Sequence, residues 1–252
     1  MARIGIIGLG NWGTALAKVW CEDGHNVMGW TIEHEVYESI MTENINKKYL
    51  PHTKIPELQA TMQIEDITTE CEIIVLAVPS GIILGVVDQI IPYLRPSHLL
   101  IDLAKGLAPE EEGGSGIISK AITKRLEDAK KSNPLVVMTG PTIAPEVARG
   151  VMTTALVACH DRSIAERIAG RLSTNTLVLT PADDPEGAEF TADFKVQKRR
   201  GRQTHHEWHI APSTAVYALG SAVVDKEKGD RLVISDGDND GFPFLVSDET
   251  ET

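Results

Sequence analysis

Positive charge is in short supply in this 252-residue sequence: 24 Lys and Arg stand against 36 Asp and Glu, a formal net charge of −12 at pH 7. A surface of that sign repels phosphate backbones and excludes a general nucleic-acid binder, while leaving room for a local basic pocket for a small anion. Cysteine is as sparse. Cys21, Cys71 and Cys159 are odd in number and far apart, with no CxxC pair. No disulfide framework is expected, the cysteines read as small core residues, and a reducing cytoplasm is the natural setting. Long apolar runs are missing too. The best candidate, GIILGVVDQIIPYL, carries Asp88 and Pro92, so no membrane span is expected. The opening MARIGIIGLG has a single basic residue and a short apolar stretch broken by glycine, without a small-residue cleavage site, and does not read as a signal peptide.

Metal signatures are incomplete. HHEWH places His206 and His209 three apart, but only Glu207 is at hand to complete a set, and DGDNDGFPFLVS has Ser247 where a calcium loop requires a bidentate Glu. No metal is expected. What the sequence does contain, over its first two-thirds, is alternation. Short β-like runs at Arg3–Ile7, Asn26–Trp30, Glu72–Ala77, His98–Leu103, Pro134–Met138, Met152–Ala158 and Thr176–Leu179 are separated by helical patterns such as NWGTALAKVWCEDG, GIILGVVDQIIPYL, GIISKAITKRLEDAKK and RSIAERIAGRLS. Most of the β-like runs are apolar throughout, as befits a parallel sheet covered on both faces. The pattern predicts an α/β fold with a doubly wound parallel sheet of the Rossmann type. After about residue 180 the alternation fails, and at most one or two short strands are expected in an irregular tail. The expected organisation is a dinucleotide-binding domain over 1–180 and a short C-terminal region over 181–252.

The opening IGIIGLGNWGTALA raises the question of why Gly8, Gly10 and Gly13 are set where a strand meets a helix. A dinucleotide fingerprint answers it. The chain must turn tightly at Gly8, come close to a pyrophosphate at Gly10, and pack the helix against the strand at Gly13. The helix N-terminus, at Asn11 and Trp12, then presents free N–H groups and a partial positive charge to the phosphates. An acidic residue is expected about 20 residues further on to hold the ribose hydroxyls. Glu33 stands 20 residues after Gly13. It either holds the ribose or caps the next helix. Neither Thr31 nor Ile32 supplies a cation for a 2′-phosphate, which favours NAD over NADP as the cofactor.

Further stretches carry a resemblance: NKKYLP (46–51), LAVPS (76–80, with Pro79), AKGL (104–107), GPTIAPEVARG (140–150) and DPEGAEFTADFK (184–195), in that order after GLGNWGTALA. Together they resemble the NAD(P)-dependent glycerol-3-phosphate dehydrogenase family over residues 1 to about 195. The resemblance implies an oxidoreductase that interconverts sn-glycerol 3-phosphate and dihydroxyacetone phosphate, a small-molecule substrate that feeds glycerophospholipid synthesis. A homodimer is compatible with it. It also implies roles. Lys195 is the general base, a role a lysine can take if burial and neighbours lower its pKa toward the working pH. Lys105 polarises the substrate oxygen and touches the cofactor. Gly140 and Thr142 contact substrate, and Ala144 approaches the nicotinamide. Lys105 also reads as a solvated strand-end lysine, and FKVQKRRGR as a solvated basic run.

The chain departs from the family after Lys195. Val196 stands where the family has Asn, and the family's Ser-Arg-Asn phosphate motif does not occur beyond it. Residues 181–252 are therefore expected to be a truncated or divergent remnant of the substrate domain. The expectation is cofactor binding with slow turnover, or with none.

Overall fold

The computed structural model describes residues 1–55, 57–104, 117–140 and 142–191, with side chains to 189, and the backbone of three short strands at 222–225, 231–234 and 242–245. The chain divides into two compact units, Met1–Ala192 and Asp193–Thr252.

The first unit is built on eight strands: β1 (Arg3–Ile7), β2 (Asn26–Trp30), β3 (Gln59–Thr61), β4 (Ile73–Leu76), β5 (Leu99–Asp102), β6 (Leu135–Thr139), β7 (Thr153–Ala158) and β8 (Leu177–Ala182). They lie in the order β3-β2-β1-β4-β5-β6-β7-β8. Between them run α1 (Asn11–Glu22), α2 (His34–Glu43), α3 (Ile64–Glu70), α4 (Ser80–Ile90), α5 (Ile118–Asp128), α6 (Ala144–Ala148), α7 (Arg162–Leu172) and α8 (Pro185–Thr191). The strands were legible because they are almost wholly apolar, and each face of the sheet is covered. Within one strand, alternate residues serve opposite cores. Ile4 and Ile6 of β1, Ile73 and Val75 of β4, and Ile101 of β5 join the cluster under α1, α2, α6 and α7. Ile7, Ile74, Leu76 and Leu100 join the cluster under α3, α4 and α5. That is a three-layer sandwich, with the doubly wound order expected of the Rossmann type.

Three features differ from the sequence expectation. Strand β3 was not foreseen, because Gln59–Thr61 is only three residues long and carries no apolar run. The sheet is not wholly parallel: β6 and β7 pair antiparallel, while β7 and β8 pair parallel. The cause is α6. It is only five residues long and packs against α1, so the chain re-enters the sheet from the edge where β6 ended. A parallel return requires a crossover of a dozen or more residues back to the opposite edge, usually a full helix. In the second unit, three strands rather than one or two pair antiparallel: β9 (Ala222–Asp225), β10 (Arg231–Ile234) and β11 (Phe242–Leu245).

Cys21, Cys71 and Cys159 are buried thiols, and burial pushes Cys21 and Cys71 up to about 12. They are packing residues, not nucleophiles. No described helix is long and apolar enough to cross a membrane.

Helix α1 is tied to the far end of the sheet by one buried bond. Trp20, fully buried, donates its indole N–H to the Leu172 carbonyl at the end of α7 (3.1 Å). Trp20→Phe removes the donor and part of the ring. It should lower unfolding stability by about 2 kcal/mol, the size of a lost buried hydrogen bond plus a small cavity. Urea denaturation followed by far-UV circular dichroism measures it.

Candidate functional site: the carboxyl edge of the sheet

Register places the ends of five strands, and Val137 of β6, on one line. Thr61 pairs with Trp30, Trp30 with Ile7, Ile7 with Leu76, Leu76 with Asp102, and Asp102 with Val137. Every loop that follows this line opens on the same edge, and the strand order reverses between β1 and β4, where open α/β sheets take their ligands.

At that switch point the glycine loop is held from both sides. The Gly8 N–H donates to the Trp30 carbonyl (3.0 Å), and Ala77 N–H donates to the Ile7 carbonyl (2.9 Å). Gly8 has φ +109°, in the region that favours glycine, and an added Cβ would lie 2.8 Å from the Ala77 carbonyl oxygen. At Gly13 an added Cβ would lie 2.0 Å from the Gly8 carbonyl oxygen, so α1 sits on the loop only because Gly13 has no side chain. Gly10 is different. It is the N-cap of α1, and a Cβ there would meet nothing within 4 Å. Two of the glycines are thus explained by the protein's own packing, and the third by an open space beside a helix N-terminus. No side chain caps α1 and its first turn contains no acid. These residues fit a dinucleotide pyrophosphate: uncapped N–H groups, the positive end of the helix dipole, and no Cβ in the way.

The other sequence candidates gather on the same edge. Pro79 is the exposed N-cap residue of α4, directly after β4. Gly140 follows β6, Thr142 donates its N–H to the Gly140 carbonyl (2.8 Å), and Ala144 opens α6. Trp12 is half-buried against the core cluster beneath α1. Lys105 and Lys195 lie outside the described residues, as do His205, His206, His209 and the acidic run from Asp236. Among the described residues, no group of three or more His, Cys, Asp or Glu is placed to hold a metal ion.

Glu33 stands just past β2, as the N-cap residue of α2, but its side chain makes no capping bond. Its carboxylate instead accepts the Tyr49 hydroxyl (2.6 Å) and pairs with the Lys48 ammonium. Those partners, the Lys48 bond first, hold the Glu33 carboxyl below the usual carboxylate range, and the Tyr49 phenol is raised in turn by Glu33.

Sequence reasoning did not give roles to several residues that build this edge. Asn46, fully buried, donates its amide to the Leu9 carbonyl and the Thr14 hydroxyl (2.8 Å each) and accepts the Tyr49 N–H (3.2 Å). The Asn of NKKYLP therefore rivets that loop to the glycine loop. The Asp-x-x-Gly-x-Glu stretch has a similar logic. Asp184 accepts the Gly187 N–H (2.9 Å), at the start of α8. Glu189, buried, accepts the N–H groups of Ile118 and Ser119 (2.7 and 3.0 Å) and so caps α5. The third is Asp102, signalled only by a carboxyl at the end of the apolar run LLID. It is buried, accepts the Ala104 N–H through Oδ1 (2.8 Å), and its Oδ2 has no partner among the described residues.

This edge defines a dinucleotide-binding domain of the doubly wound class. Comparison places it more narrowly: the profile of the family described as NAD-dependent glycerol-3-phosphate dehydrogenase N-terminus matches residues 3–165, and the chain belongs to that family. It is 35% identical over 196 residues to the glycerol-3-phosphate dehydrogenase [NAD(P)+] of Clostridium acetobutylicum and 34% identical to that of Lysinibacillus sphaericus. Each alignment covers 77% of this chain and 57% of the relative, so the chain spans little more than half the length of the relatives it matches. Among solved structures, the glycerol-3-phosphate dehydrogenase of Coxiella burnetii superposes with a TM-score of 0.69 at 27% identity, over 76% of this chain and 57% of that one.

Burial pushes the Asp102 carboxyl up to about 8; the bond from Ala104 opposes the shift and the charge of Glu189 adds to it. Unfolded, the same carboxyl titrates near 3.8. Between those values the folded state binds the extra proton, so stability falls as pH rises, by at most about 1.4 kcal/mol per pH unit. In Asp102→Asn this slope should vanish, and the variant should gain on the wild type steadily from about pH 5 to about pH 8. Denaturant midpoints across that range are the measurement. A constant difference would show that Asp102 is already ionised in the fold.

Proposed function

We propose that this chain binds NAD(H) or NADP(H) at the carboxyl edge of its sheet and serves the interconversion of sn-glycerol 3-phosphate and dihydroxyacetone phosphate. The observation that carries the cofactor half is Gly10, a glycine the protein's own packing does not require, at the open N-terminus of α1. The substrate half is supported by family membership and by relatives named glycerol-3-phosphate dehydrogenase [NAD(P)+].

A bound nicotinamide dinucleotide would supply the hydride acceptor for the carbinol carbon, and its reduced form the donor for the carbonyl carbon. The chain's part is to hold and orient. Gly8 and Gly13 fix the loop and the helix, and Gly10, Asn11 and Trp12 offer the backbone that receives the phosphates. Pro79 and Ala144 lie along the path of the nicotinamide half. Gly140 and Thr142 stand where substrate is expected, and Lys105 orients its oxygen. Lys195, as general base, takes the hydroxyl proton, a role open to a lysine whose pKa is lowered by its surroundings. A soluble cytoplasmic setting and a homodimer belong to the same proposal.

The two glycines separate folding from binding. Gly10→Ala should leave stability within about 0.5 kcal/mol and weaken NADH at least tenfold, because the new methyl occupies the phosphate approach. Gly13→Ala should cost about 1–3 kcal/mol of stability, because a backbone carbonyl must move. Calorimetric titration with NADH, beside urea denaturation, reads both. Equal NADH affinity in wild type and Gly10→Ala refutes the cofactor site.

The reaction is tested by NADH absorbance with dihydroxyacetone phosphate. Lys105→Ala and Lys195→Ala should each lower kcat by about 100-fold or more, the scale of a lost general acid–base group. NADH affinity should change little in Lys195→Ala. A rate indifferent to both lysines, or no turnover by a chain that binds NADH, overturns the substrate half and leaves a cofactor-binding protein.

A further inference from the structure

An acidic residue after the second strand of a doubly wound sheet accepts the ribose hydroxyls of NAD(H) and repels a 2′-phosphate. In this chain that residue is Glu33, and it is not a free carboxylate. One oxygen accepts the Tyr49 hydroxyl and the other pairs with Lys48. Lys48 also reaches Glu35 (2.7 Å) and stands over the Tyr49 ring, 5.6 Å from its centroid. The cation is absent from the sequence neighbourhood of Glu33. It is brought there by the 46–51 loop, whose position is set by Asn46 bonding the Leu9 carbonyl within the glycine loop. His34, the next residue along the chain, faces Glu38 instead (3.5 Å).

We infer that Lys48 is a specificity-determining residue that admits a 2′-phosphorylated adenosine, so that the site takes NADP(H) as well as NAD(H). This rests on the cofactor site proposed above. Three features support it. Lys48 is a nearly half-exposed side chain, so it can exchange its carboxylate partners for a phosphate without unpacking the core. Its ammonium carries three donors, enough to serve a phosphate while keeping one carboxylate. And Glu33, with both oxygens already engaged, is a weaker barrier to a second negative charge than a solitary carboxylate. With NAD(H), Lys48 stays on Glu33 and Glu35, and Glu33 is shared with the ribose. With NADP(H), the ammonium turns to the phosphate. The sequence argument for NAD rested on Glu33 and on the lack of a cation at residues 31 and 32, and the fold supplies the cation from elsewhere.

The experiment is direct binding at pH 8, by calorimetry, of NADH, NADPH, 5′-AMP and adenosine 2′,5′-bisphosphate to the full chain and to Lys48→Ala, Lys48→Arg and Glu33→Gln. Wild type should bind NADPH within about tenfold of NADH. Lys48→Ala should weaken NADPH and the bisphosphate by about tenfold or more, the scale of a charged hydrogen bond, and leave NADH and 5′-AMP within about threefold. Lys48→Arg should keep NADPH binding. Glu33→Gln should shift preference toward NADPH. The Lys48 effect should shrink in high salt, as for an exposed ion pair. Equal losses for phosphorylated and unphosphorylated ligands, or no loss at all, would overturn the role of Lys48 while the cofactor site stands. Failure of the wild type to bind either dinucleotide would overturn both.

Discussion

The structure turns on a contact that exists because an atom is missing. Helix α1 rests on the carbonyl of Gly8 at a distance no Cβ at Gly13 would permit. With α1 so close, Thr14 can bond the Leu9 carbonyl (3.1 Å), and Asn46 can reach both Leu9 and Thr14 from the following βα unit. One backbone oxygen thus gathers the glycine loop, the first helix and the 46–51 loop. Moving α1 outward would break all three and would also withdraw Trp20 from the Leu172 carbonyl. A close-packed interior has few ways to absorb such a shift.

The same edge shows how polar groups are managed near a site. Glu189 is buried, yet its carboxylate is satisfied by two backbone N–H groups at the start of α5, a favourable place for a negative charge. Asp102 is buried with one oxygen lacking a partner among the described residues, and burial holds its proton. The two carboxyls interact, since the charge of Glu189 is among the causes that raise Asp102. Glu189 stands at a helix end that favours a negative charge, whereas Asp102 is raised chiefly by its burial, with the charge of Glu189 adding to the shift. Such arrangements collect near functional edges, where backbone ends converge and water is excluded.

Glu33 shows where local reading of a site reaches its limit. Its position past β2 was legible, because the spacing from a glycine fingerprint to the end of the second strand is set by the length of one helix and one strand. Its partners were not. Lys48 and Tyr49 are 15 and 16 residues away, and only the folded loop makes them neighbours. The charge at the adenosine end of the site therefore belongs to a cluster rather than to one residue.

The sequence by itself determined the layers. Apolar runs without alternation could only be strands covered on both faces, and glycines at fixed spacing after the first of them could only mark a tight turn and a close helix. Those are local demands of backbone and solvent, and they are written locally. Tertiary structure decided everything that depends on what arrives from a distance. The direction of β7 follows from where the short α6 docks, and β3 pairs only because an existing edge at β2 accepts so brief a segment. The protonation of Asp102 and the pairing of Glu33 follow from neighbours that no spacing rule brings together. Hydrophobic patterning is a property of each segment, whereas electrostatic character and strand direction are properties of the pairings that packing selects.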